Sequence, residues 1–287
     1  SPIGLATTLD FILIGRYKNV LRHSPDTVQF LELLQSIDDL GKSPRVLDTG
    51  SSSHDIRASR GLFQWDRELV ISRAPGRLDV MGGIADYSGS AVLQMPLGEA
   101  CHVACQRQPA PQKGLWKHIS SRHEAKGLKE SPPVLRIVSL DADENNRSPT
   151  FDVDLDELLE DGKAISYPAA RQVFERESSK RWAAYVAGCL IVVLTEFDLT
   201  LIDGLAILVS SGVPEGKGVS SSAAVEVASM CAFSAIFGLD IEPERLAILC
   251  QKAENLIVGA PCGLMDQMAS SIGEKVDLLS HMNRNTI

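Results

Sequence analysis

The 287-residue sequence predicts an α+β fold of one or two domains, and three observations predict it. Short β-type runs crowd residues 69–140, and helical patterns fill 165–194 and 222–272. A single uninterrupted apolar run, Leu205–Val209, stands between the two helical blocks and reads as a buried strand. The composition, 44% hydrophobic and 23% charged, is that of an ordinary globular protein long enough to bury a large core.

Taken in order, Ser24-Pro25 is a helix start, with Ser at the cap and Pro at the first helical position. Val28, Leu31, Leu34 and Ile37 follow as one apolar face, and Gly41 ends the helix. Residues 42–60 are polar and Ser-rich, a connection, so 1–68 is predicted to be a helical and linker extension without chemistry. Leu69–Ser72, Ala91–Met95 and Ala100–Gln106 are strand-like, with a tight Pro75-Gly76 turn between the first two. Residues 107–133 read as a loop whose basic run, Lys113–Lys129, is solvated, and Val134–Leu140 reads as a strand closed by an acidic turn, 141–145. Ile165–Leu194 is mainly helical, and helices follow at 222–237, 243–258 and 264–272.

Composition excludes several function classes. The net charge of -9 argues against nucleic acid or an anionic membrane as partner, because counterion release needs clustered Lys and Arg. The longest uncharged apolar run, Trp182–Leu194, is shorter than the roughly 20 residues that span a bilayer, and reads as a core helix. The six cysteines form no C-x-x-C pair and read as free thiols of a reducing compartment, so a cytoplasmic protein is expected. No signal peptide is evident, and a chain that opens on Ser1 is expected to be a piece of a longer one.

Three segments carry the chemistry. RAPGRLDVMGGIADYSGSAVLQMP, residues 73–96, sets the fixed cation Arg77 nine residues before the carboxylate Asp86. VPEGKGVSSSAAVEVAS, residues 213–229, runs from the apolar strand through a glycine loop into a helix start. Such a loop brings backbone N–H groups and a helix dipole to an anion. It is no Walker sequence, since Gly218 follows Lys217, and no dinucleotide fingerprint, since Ser221 holds the third glycine position. AENLIVGAPCGLMDQMAS, residues 253–270, places Glu254 on the edge of the apolar stripe Leu246, Leu249, Cys250, Ala253 and Ile257, and Asp266 at the start of a short helix. From the residues alone, Glu254 is either salt-bridged or metal-bound, and Asp266 is either a helix-start carboxylate or a reactive one.

Together these segments resemble the superfamily of galactokinase, homoserine kinase, mevalonate kinase and phosphomevalonate kinase, the GHMP kinases, over residues 69 to about 275. Within it they resemble the galactokinase branch, and the local string GGIADYSGS is similar to that of plant L-arabinokinases. The resemblance implies a GHMP N-terminal domain over 69–287 with a left-handed β-α-β unit, and a C-terminal domain largely missing because no third motif precedes Ile287. It also implies an upstream glycosyltransferase-like region in a longer protein.

The same resemblance implies that ATP phosphates lie on Gly216, Lys217, Gly218, Val219, Ser220, Ser221 and Ser222. Lys217 adds its charge to them or merely faces solvent. Magnesium is expected on Glu254 and Ser222, with Ser221 the other candidate hydroxyl. Asp266 is expected to take the proton of a sugar's anomeric hydroxyl as that oxygen attacks the γ-phosphate, with Arg77 beside it countering negative charge. Asp86, Tyr87 and Gly263 line the sugar site, and Cys262 packs beside it.

The family's first motif reads Gly-Glu-His-Thr-Asp-Tyr where this chain has Gly82-Gly83-Ile84-Ala85-Asp86-Tyr87. Loss of the Glu and His at Gly83 and Ile84 suits a pentose lacking galactose's hydroxymethyl group, or else only repacks the turn. The expected activity is ATP-dependent formation of L-arabinose 1-phosphate. The alternatives are a galactokinase or uronic-acid kinase and, from another class, a non-catalytic sugar and ATP sensor or an inactive truncated isoform.

Overall fold

A computed structural model describes residues 11–14, 24–42, 58–108, 117–127, 132–140, 148–273 and 279–281. Its centre is a mixed sheet. Strand β1 (Phe11–Ile14) runs parallel to β2 (Leu69–Met81), which is antiparallel to β3 (Val92–Gln108). Strand β3 is antiparallel to the strand Gly204–Ser211, which lies parallel to β4 (Val134–Ser139), itself antiparallel to β5 (Thr150–Asp154). A small hairpin of β6 (Leu159–Glu160) and β7 (Lys163–Ala164) stands apart, so Gly204–Ser211 is β8. A last strand, β9 (Leu279–His281), pairs with the start of β3.

Both faces of the sheet are covered. On one, Val70, Ala74, Val103, Leu135, Ile137, Leu205, Ile207 and Val209 join a core with helices that follow β7. On the other, Ile71, Ala104, Val134, Val138, Ala206 and Leu208 meet α1 (Pro25–Lys42) and α2 (Lys117–Ala125). Residues of β8 therefore alternate between two apolar layers, which is why its sequence is apolar without a break. The helices of the first layer are α3 (Tyr167–Glu175), α4 (Ala184–Glu196), α5 (Ser221–Ile236) and α6 (Pro243–Ala253), and α7 (Met265–Ile272) packs beside α5, α6 and β2. The Trp182–Leu194 run is a buried core segment, and no helix among the described residues is long and apolar enough to cross a membrane.

Several expectations need correction. Pro75-Gly76 makes no turn: β2 continues through it, and its register with β3 shifts between Pro75 and Arg77. Glycine is required there because a Cβ would lie 2.7 Å from Val213 Cγ1 and 2.8 Å from the Val219 carbonyl. The buried stripe of α1 is Thr27, Phe30, Leu34 and Ile37, with Val28 exposed, so the helix is rotated from the predicted face. The pull comes from His102, whose ring stacks on Phe30 at 5.0 Å and whose Nε2 lies 3.1 Å from Thr27 Oγ1.

Residues 117–125 form a helix within the expected loop, and its charges are not simply solvated. Arg122, His123 and Lys126 converge on the buried Asp154 at the end of β5, at 2.8 Å for His123 and 2.9 Å for Lys126. Helix α6 ends at Ala253, where a π-turn over Glu254–Val258 takes over. The acidic turn expected at 141–145, and most of the 42–60 connection, lie outside the described residues.

Candidate active site

The end of β2, the loop after β8 and the start of α7 meet at Arg77. Its Nε donates to Asp266 Oδ1 at 2.9 Å, and Nη2 approaches the same oxygen at 2.7 Å. Nη1 donates to the Gly218 carbonyl at 2.6 Å, and the backbone N–H of Arg77 donates to the Val219 carbonyl at 3.0 Å. One guanidinium therefore ties the glycine loop to the Asp266 carboxylate, and the bulge at Gly76 lets the loop come that close.

The loop has an anion-site shape. Gly216 and Gly218 sit at φ 66° and 70°, and Ser220, the cap of α5, sits at φ 58°, a left-handed conformation uncommon for a side-chain-bearing residue. The buried Ser220 hydroxyl has no hydrogen-bond partner. Ser221 opens α5, and Lys217 is exposed.

Asp86 lies in a 3₁₀ turn, Gly83–Ser88, bracketed by left-handed Gly82 and Gly89. It is buried, and its Oδ2 accepts the N–H of Met265 at 3.0 Å, capping α7 one residue before Asp266. Its Oδ1 has no partner. Gly263 presses against this carboxylate so closely that a Cβ would lie 1.7 Å from Oδ2. Tyr87 reaches the Pro261 carbonyl at 3.3 Å. Ile84 is 89% exposed, so it packs no enclosed wall here, and a Cβ on Gly83 would meet Asp79 Oδ2 at 2.0 Å.

Beneath the loop lies a buried polar cluster. Glu254 Oε2 accepts Gln267 Nε2 at 2.6 Å, and the Ser222 hydroxyl and Cys262 thiol lie near the same carboxyl. Burial raises its pKa above the usual carboxylate value and the nearby Asp266 charge adds to the rise, against the lowering by these three polar neighbours. The Cys262 thiol lies 3.7 Å from Gln267 Nε2, and burial followed by the Glu254 charge pushes its pKa up. A hydroxyl and a carboxylate side by side fit a magnesium ion, which keeps waters and phosphate oxygens as its other ligands. Among the described residues no three His, Cys, Asp or Glu side chains form a protein-only metal cage.

Sequence reasoning missed Glu226, Gln267 and Tyr185. Glu226 is fully buried, accepts Gln267 Nε2 at 3.1 Å, and is pushed well above the carboxylate range by burial and then by Glu254. Burial, followed by the charges of Glu254 and Glu226, raises the Tyr185 phenol to about 12. The available signal was a single carboxylate, Glu226, inside the otherwise small and apolar string SSAAVEVASMCAFSAI.

Residues 184–274 match the family model for the GHMP kinases N terminal domain, and residues 62–107 match the galactokinase galactose-binding signature. The chain is 53% identical over 255 residues to L-arabinokinase of Arabidopsis thaliana, covering 89% of this chain and 24% of that protein. It is 30% identical over 204 residues to galactokinase of Chloroflexus aggregans, covering 71% of this chain and 41% of that one. The crystal structure of Lactococcus lactis galactokinase complexed with galactose superposes with a TM-score of 0.57 at 19% identity, over 79% of this chain and 48% of that chain, a likeness of fold. The chain therefore spans less than half the length of each of these relatives.

Proposed function

We propose that this chain, which carries a GHMP kinase N-terminal domain preceded by a galactokinase-type sugar-binding segment, supplies the nucleotide and sugar sites of an ATP-dependent sugar 1-kinase acting on L-arabinose. The observation that carries the reading is the Arg77 guanidinium, bonded at once to Asp266 and to the glycine loop. In this reading that bridge joins a proton acceptor to a phosphate cradle.

In this reading the γ-phosphate lies at the left-handed loop, against the N–H groups of Gly216 to Ser222 and the unpaired Ser220 hydroxyl. The unpaired Asp86 Oδ1 accepts a ring hydroxyl of the sugar. Asp266 takes the proton of the anomeric hydroxyl as that oxygen bonds to phosphorus and ADP leaves. Arg77 steadies the negative charge that grows on the transferred group. Ser222 and Glu254 would hold the magnesium ion, which when bound neutralises phosphate charge.

L-Arabinose is favoured by the 53% identical relative's name and by Gly83 and Ile84 in place of the polar pair. A galactose hydroxymethyl left without those partners costs about 1 to 3 kcal/mol, roughly a 5 to 150-fold preference. The test is phosphate transfer from ATP to L-arabinose, galactose and the uronic acids, run on this chain and on a longer form of the protein. Arabinose-selective turnover by either form supports the proposal. Binding of sugar and ATP without turnover by both supports a sensor and overturns it.

A further inference from the structure

Three helices meet at one side chain, Gln267. It sits on α7 next to Asp266 and is fully buried. Its amide nitrogen lies 3.1 Å from Glu226 Oε2 on α5, 2.6 Å from Glu254 Oε2 at the α6 end and 3.7 Å from Cys262 Sγ, and the two carboxyls are themselves neighbours. Glu226 lies one turn past Ser222 on α5, so one face of that helix carries both the hydroxyl near Glu254 and the carboxyl that anchors Gln267.

We propose that Gln267, anchored by Glu226, is a positioning residue that aims the Glu254 carboxylate at a divalent cation. The inference rests on the reading of Ser222 and Glu254 as the cation's protein ligands. A buried carboxyl such as Glu226 is costly, and an apolar trio of similar volume would hold three helices together at least as well. What the polar trio adds is direction. It holds Glu254 Oε2 at 2.6 Å, with the Ser222 hydroxyl close to the same carboxyl. Groups that orient a metal's carboxylate typically govern its affinity by about 10 to 100-fold.

The test measures Mn²⁺ binding to the purified chain with a non-hydrolysable ATP analogue, by the electron paramagnetic resonance of free Mn²⁺. Binding of the analogue alone, in chelator, is the second readout. Gln267→Leu removes the amide, Gln267→Asn keeps it but shortens its reach, and Glu226→Gln keeps an oxygen that can accept from it. The expected result is Mn²⁺ affinity lowered about tenfold in both Gln267 variants, near wild type in Glu226→Gln, and unchanged metal-free analogue binding in all three. Should the Leu variant not fold, the Asn variant decides. Wild-type Mn²⁺ affinity in Gln267→Asn overturns the proposal, and so does an equal loss of metal-free analogue binding, which marks general loosening. Glu254→Gln separates the two readings: if it binds Mn²⁺ as wild type does, the ligand assignment itself falls, and the inference with it.

Discussion

Asp266 and Arg77 are 189 positions apart along the chain, yet the carboxylate oxygen lies within 2.9 Å of the guanidinium. Asn at 266 keeps the shape and one oxygen but removes the proton acceptor. Asp266→Asn is therefore predicted to lower phosphate transfer by about 10² to 10⁴-fold while the ATP dissociation constant stays put; full turnover would remove Asp266 from its role. Gly263 is tested by a different measurement. A methyl there would land on Asp86 Oδ2 and break its bond to Met265. Gly263→Ala should weaken sugar binding by roughly 5 to 150-fold, read by calorimetry, with nucleotide binding held. At Gly83 the obstruction is only the Asp79 carboxylate, which Gln94 Nε2 bonds at 2.8 Å and which can swing away. Gly83→Glu with Ile84→His should thus be accommodated and raise galactose use relative to arabinose. An unchanged ratio would show that the exposed Ile84 has no part in sugar choice.

Among the elements, α1 is docked on the sheet by a histidine. Burial lowers the pKa of His102 to about 4, Asp26 opposes this by favouring the charged ring, and Arg73 adds to the lowering. The unfolded chain binds that proton near the ordinary value of about 6.5, so the folded state loses stability as pH falls from about 6.5 towards about 4, on the order of 3 kcal/mol in full. His102→Gln should flatten urea midpoints across that window, and an equally steep acid loss in the variant would place the titration elsewhere. The sequence reached most of this level. Strand β8, helices α5 to α7 and the stripe from Leu246 to Ile257 were legible because periodicity and caps are local signals. The rotation of α1, the continuation of β2 through Pro75-Gly76 and the helix over 117–125 were not. Each is decided by a distant partner: His102 for α1, Val213 and Val219 for Gly76, and Asp154 for Arg122 and Lys126. Arg77, Asp266, Ser222 and Glu254 were legible as candidates through their motifs. The resemblance implied their meeting, but Gln267 was not legible, since nothing local to a short helix marks a glutamine that bonds two carboxyls from other helices.

Across the whole molecule, the two faces of the sheet divide the work. The Arg77, Asp266 and Glu254 cluster belongs to the end of β2 and to helices on the first face, whereas α1 and the segment around Leu62 and Phe63 close the second. Residues 1–68, read from sequence as an extension, thus supply a helix that covers Ile71, Ala104 and Leu208. Burial of Phe30, Leu34 and Ile37 contributes about 1.5 to 3 kcal/mol each, so deletion of residues 1–57 removes on the order of 5 kcal/mol, a large share of a typical domain's stability. The shortened chain is predicted to show a lower urea midpoint and to bind a hydrophobic dye at neutral pH, because the part of the apolar sheet face that α1 covers is then bare. Both ion-pair partners, Arg77 and Asp266, remain in it, so any nucleotide binding that survives should respond to Asp266→Asn as the full chain does. A shortened chain with an unchanged midpoint and no dye binding would mean that the second face is stable without α1, and that α1 is an appendage.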